Sequence, residues 1–115
     1  MKKIYTWAAQ PAIRSLTVDD LKKAKGKKKF TQVTANTLDE AEAAEKAGFD
    51  MIICNAFNVK QVREGSKNLF LTAALVLNKF VTSDDIMRGA FEALENGADA
   101  IMTPRSMKIV EMLAN

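Results

Sequence analysis

Two stretches of this chain are near copies of one another: Glu42-Ala-Ala-Glu-Lys-Ala-Gly-Phe-Asp-Met-Ile-Ile-Cys-Asn55 and Phe91-Glu-Ala-Leu-Glu-Asn-Gly-Ala-Asp-Ala-Ile-Met-Thr-Pro104. Each reads as the end of a helix, a stop glycine (Gly48, Gly97), one spacer, an aspartate (Asp50, Asp99) and an apolar strand. That is the helix-to-strand half of a βαβ unit, repeated at an offset of 49 residues. A chain that repeats this unit is directed to a wound α/β fold, where ligands gather at the carboxyl ends of the strands.

The rest of the chain fits the same plan. Three segments carry the helix-start pattern of a hydroxyl followed three residues later by an acid: Thr17 with Asp20, Thr37 with Glu40, and Thr82 with Asp85. Glycines 26, 48, 65 and 97 are the expected helix stops. Strands are expected at 30–35, 50–55, 69–77 and 100–103. The second and third are continuously apolar, as strands of a buried parallel sheet are. Asn58 is the expected start of a short helix ending at Gly65, and Ser106 that of a last one. Strands alternating with helices mean parallel pairing with right-handed crossovers. The fold class expected is α/β, built of parallel (β/α) units and amounting to half of a (β/α)8 TIM-type barrel. Residues 1–15, with Pro11 and no periodicity, are expected as an N-terminal arm. Residues 16–115 then form a single four-stranded half-barrel domain.

The residue inventory narrows the chemistry. In 115 residues there is no histidine and one cysteine. Zinc sites and histidine-based triads within one chain are thereby excluded, as is an internal disulfide. Cys54, alone in an apolar strand, fits a reducing cytoplasmic setting as an inert core thiol. No apolar run reaches the roughly 18 residues of a membrane span. The net charge of +3 is local: six lysines (22, 23, 25, 27, 28 and 29) fall within eight residues, and without them acids outnumber bases by three. No aromatic or arginine interleaves that run, so a solvated turn is expected there and nucleic acid is not.

The segment Leu16-Thr-Val-Asp-Asp-Leu-Lys-Lys-Ala-Lys-Gly-Lys-Lys-Lys-Phe-Thr-Gln-Val-Thr-Ala35 resembles the opening of the ketopantoate hydroxymethyltransferase family: a TV-x-DL helix, a basic turn and a first strand ending in Thr-Ala. Ala47-Gly-Phe-Asp-Met-Ile-Ile53 resembles that family's AG-x-D-x-ILVGDS segment, and Gly97-Ala-Asp-Ala-Ile101 its GADAVKLEGG. The likeness runs from about Leu16 to Asn115, the first half of the family's barrel. More widely it extends to barrels of the phosphoenolpyruvate mutase and isocitrate lyase type. The resemblance implies a transferase of pantothenate biosynthesis, or carbon–carbon bond formation or cleavage on another small 2-oxo acid. It also implies Mg²⁺ held by strand-end acids and a folate one-carbon donor. At the family's three metal-binding acids this chain has Ala56, Ala74 and Pro104; Phe57 stands in place of a substrate serine and Met102 in place of a lysine. The alternative is a non-catalytic half-barrel that binds a small anion or a protein partner.

With those acids absent, no catalytic residue and no metal ligand can be named from the sequence. What remains at the strand ends is a set of neutral hydrogen-bonders and two cations: Thr34, Asn36, Asn55, Lys79, Thr103, Arg105 and Ser106, with Asn58, Thr72 and Asn78 beside them. Such a set suits a small carboxylate or phosphate. Arg105 offers a bidentate fork, and the helix beginning at Ser106 offers free amides and a favourable dipole. Asp50 and Asp99 fall at the opposite ends of the strands, where structural roles are expected. A four-stranded half-barrel leaves two bare edges, so self-association or completion by a missing C-terminal half is expected.

Overall fold

The structure, a computed structural model, describes residues Met1 to Asn115. It opens with β1 (Lys2–Tyr5) and β2 (Pro11–Arg14), followed by α1 (Val18–Lys23). Then come β3 (Gln32–Thr34), α2 (Leu38–Lys46), β4 (Met51–Asn55), a 3-10 turn (Ala56–Asn58), α3 (Val59–Gly65) and β5 (Phe70–Ala74). The chain closes with α4 (Ser83–Glu95), β6 (Ala100–Met102) and α5 (Met107–Ala114). Strands β3 to β6 form one parallel sheet in sequential order, with Gln32 opposite Met51, Met51 opposite Phe70, and Thr72 opposite Ala100.

Residues 1–15 are not an irregular arm. They fold as an antiparallel hairpin, Lys2 opposite Arg14 and Tyr5 opposite Pro11. Its turn places Ala9 at φ 58 and is closed by the Thr6 amide donating to Gln10 O at 2.9 Å. Strands of four residues are too short to show a period, and Pro11 argued against one. Yet Pro11 sits at the first position of a strand with only one neighbour, where its missing N–H costs nothing.

The parallel strands are shorter than the expected spans, most of all β5, which stops at Ala74. Leu75 stays in the core at 1% exposure, but Leu77 is half exposed in the loop beyond. The apolar run therefore overstated the strand. The Thr17 and Thr82 capping boxes form completely. At Thr37 only half forms: the hydroxyl accepts from the Glu40 amide, while the Glu40 carboxylate reaches back to the Asn36 amide instead. Asn58 and Ser106 make no side-chain cap. Gly48 (φ 85) and Gly97 (φ 109) take the left-handed conformation that ends α2 and α4, as the repeat requires.

Sequential order with crossovers of one hand puts α2, α3 and α4 on the same side of the sheet. One buried cluster joins Ala41, Ala44, Val59, Val62, Ile86 and Ala90 of these helices to Ile52, Cys54, Leu71 and Ala73 of the strands. So many alanines let the helices approach the sheet closely. The alternate strand positions face the other way and have no helical layer: Thr34 and Met102 are exposed, and Met51, Ile53, Asn55 and Thr72 are half-buried. Phe70, on that same side, is buried and borders a cavity shared with Trp7, Leu16 and Val18 beneath the sheet. No helix is long and apolar enough to cross a membrane.

Candidate functional site

The carboxyl ends of β3 and β4 are tied by asparagines. Asn36 follows β3, and its Oδ1 accepts from the Asn55 amide at 2.8 Å and from Asn58 Nδ2 at 3.1 Å. Asn55 Oδ1 in turn accepts from the Phe57 amide at 3.0 Å, which sets the 3-10 turn after β4. Asn58 Oδ1 accepts from Gln61 Nε2. Two of the expected site residues, Asn36 and Asn55, thus meet beside Asn58, and the side-chain oxygens of all three are taken up within the chain.

The carboxyl ends of β5 and β6 are tied by Arg105. Its Nη2 donates to Leu77 O at 2.8 Å and to Phe80 O at 2.9 Å, the loop between β5 and α4. Its amide donates to Thr103 Oγ1 at 3.3 Å. It makes none of the molecule's four salt bridges, and its Nε is buried with no partner. Phe80 stacks on Phe57 with centroids 5.0 Å apart, joining this loop to the turn after β4. Just after Arg105, Ser106 leaves the first amides of α5 uncapped by its hydroxyl. Lys79 and Ser106 are exposed, as is Thr34 at the far edge. Of the seven residues expected at the site, Thr103 alone borders one of the five principal cavities.

The positions that answer to the family's metal ligands do not fit a divalent ion. Ala56 and Ala74 are buried methyl groups, and Pro104 has no side-chain oxygen. No group of three or more Asp, Glu or Cys residues converges elsewhere. A hard cation needs such oxygens, and these three residues do not supply them. Cys54 is 1% exposed, and burial pushes its thiol up to about 11, which leaves it protonated and unreactive near neutral pH.

A denser polar network occupies the opposite end of the sheet. Asp99 accepts from Arg14 Nε at 3.0 and 2.9 Å, from Arg63 Nη2 at 2.9 Å and from the Leu71 amide at 3.1 Å. Arg14 also donates to the carbonyls of Ile13, Lys67 and Gly97. Arg63 donates to those of Ser66, Leu69 and Gly97. Burial, reinforced by the neighbouring Arg14 charge, lowers Arg63 to about 10 despite the attraction of Asp99. Arg63 therefore stays charged near neutral pH. Every guanidinium nitrogen of this network has an acceptor, as a structural clamp requires.

Asp50, its repeat counterpart, accepts from the Thr31 amide at 2.8 Å and from the Thr31 hydroxyl. In both repeats, then, the aspartate before a strand takes the backbone N–H of the residue level with it on the neighbouring segment, Thr31 just before β3 and Leu71 within β5. The structural role expected for this pair is observed. The two arginines, which the repeat does not announce, were missed; their only sequence signal is being single arginines outside the lysine run. No protein-family model matches the chain, and no curated protein is significantly similar to it.

Proposed function

We propose that the chain is half of a (β/α)8 barrel of the ketopantoate hydroxymethyltransferase type. In this reading its carboxyl-end face receives a small carboxylate or phosphate, with a 2-oxo acid as the substrate class. The observation that carries the reading is Arg105. It is the one arginine among those bonded at the sheet ends that has no carboxylate, and it is held in place by two carbonyls beside the uncapped start of α5. A guanidinium fixed in this way, with helix amides next to it, is an anion receptor before any anion arrives. Lys79, in the loop that Arg105 clamps, adds a second positive charge.

The family's metal-assisted addition is not part of the proposal, because Ala56, Ala74 and Pro104 supply no ligands. Binding and orientation of the acid are the functions these residues support. Titration calorimetry with 2-oxoisovalerate and with inorganic phosphate tests the reading. Binding should be weakened roughly tenfold or more by Arg105→Gln, the loss of a charge-assisted pair, and should be indifferent to Mg²⁺. Unchanged affinity in that variant sinks the anion site. A strong Mg²⁺ requirement would restore the family reaction in its place.

A further inference from the structure

The sheet has one face covered by helices and one that is not, and both edge strands, β3 and β6, lack an outer neighbour. Met51, Ile53 and Met102 are left half-buried or exposed on the uncovered face. Unpaired parallel edges beside an apolar face call for a partner.

We infer that the partner is a second copy of this chain, placed by a two-fold axis parallel to the strands, so that β6 of each copy pairs with β3 of the other. The inference rests on the half-barrel reading above. An axis along the strands leaves their direction unchanged. Both new pairings are then parallel, like those within the sheet, and one operator closes both edges. A two-fold axis perpendicular to the strands would instead pair an edge with itself and leave the other bare.

Charge selects between these arrangements. At the amino end of β3 the exposed lysines 25, 27, 28 and 29 precede the strand. At the amino end of β6 the last turns of α4 expose Glu92 and Glu95. The parallel axis keeps amino ends level, so the lysine turn of one copy meets the glutamates of the other, at two symmetric places. Pairing β3 with β3 would bring the lysine turns together. Like charges in register oppose that pairing, and opposite charges favour the first.

The test is sedimentation of the full chain with a charge exchange. One variant carries Lys25→Glu, Lys27→Glu and Lys29→Glu; the other carries Glu92→Lys and Glu95→Lys. All five positions are exposed, so folding should be preserved. The unaltered chain should run at twice its 12.7 kDa mass. Each variant alone should dissociate about tenfold more readily, and an equimolar mixture of the two should recover the original affinity, since every contact is then again opposite in sign. A dimer insensitive to both charge sets overturns the inference. So does a monomer. In a monomer, amide hydrogen exchange separates two cases: fast exchange at β3 and β6 leaves the half-barrel reading standing with a different chain as its other half, whereas slow exchange at both edges removes that reading as well.

Discussion

The two ends of the parallel sheet are finished in different ways. At the amino end, one carboxylate is shared by two arginines, and their remaining guanidinium nitrogens each donate to a carbonyl. At the carboxyl end, one arginine is matched only to carbonyls, and Phe57 stacks on Phe80 nearby. The amino end is complete within the chain. The carboxyl end is held by the asparagine bonds, the Arg105 clamp and one aromatic stack, and its arginine has no carboxylate. The contrast teaches that the clamp which maintains the fold lies at the opposite end of the strands from the proposed anion site, so that one could vary without undoing the other.

The largest effect should come from removing the shared acid. Asp99→Ala leaves Arg14 and Arg63 buried and unpaired, and should cost about 3–5 kcal/mol of stability, read from urea unfolding. A loss below about 1 kcal/mol would mean the amino end is not the clamp. Next comes Gly89→Ala at the carboxyl end, where an added methyl would run into the Phe80 ring. About 1–3 kcal/mol is expected from such overpacking, with the Phe57–Phe80 stack displaced in near-ultraviolet dichroism. Asp50→Ala sharpens the comparison between the repeats. It deletes the same strand-edge hydrogen bond but strands no arginine, so about 1 kcal/mol should suffice. If Asp50→Ala and Asp99→Ala cost the same, the arginines contribute nothing beyond the repeat. The smallest stability change should belong to Lys79→Gln, an exposed side chain in the same loop, at under about 0.5 kcal/mol, even though this variant should weaken binding of the proposed anion. Thermal melting and calorimetry on one preparation would check both halves of that statement.

Much of the sheet was legible because its signals are local. Gly48 and Gly97 mark helix ends through a backbone conformation that other residues resist, and Thr17 and Thr82 mark helix starts through bonds three residues long. The hairpin was not legible. Its strands are four residues each, and what fixes it lies far along the chain: Arg14 on Asp99, and the Ser15 amide on Asn68 O. The candidate site was legible in part. Asn36, Asn55 and Asn58 do meet, but in bonds to one another, and Arg105 was read as facing a ligand when its side chain also locks the loop from Leu77 to Phe80. Spacing places a residue at the end of a strand. It does not say which neighbouring carbonyl will take its donors.

The bond between Arg14 and Asp99 joins residues 85 apart in the chain. Its consequence is kinetic. During synthesis Arg14 and Arg63 leave the ribosome before the acid that neutralises them, so the Arg14–Asp99 bond that docks the hairpin cannot form until the chain has been made through Asp99. A contact of such sequence separation carries a large closure entropy and belongs late in folding. The hairpin is therefore among the last of these elements to find its place, and a nascent chain that stalls before Asp99 presents an open sheet end with two unpaired cations.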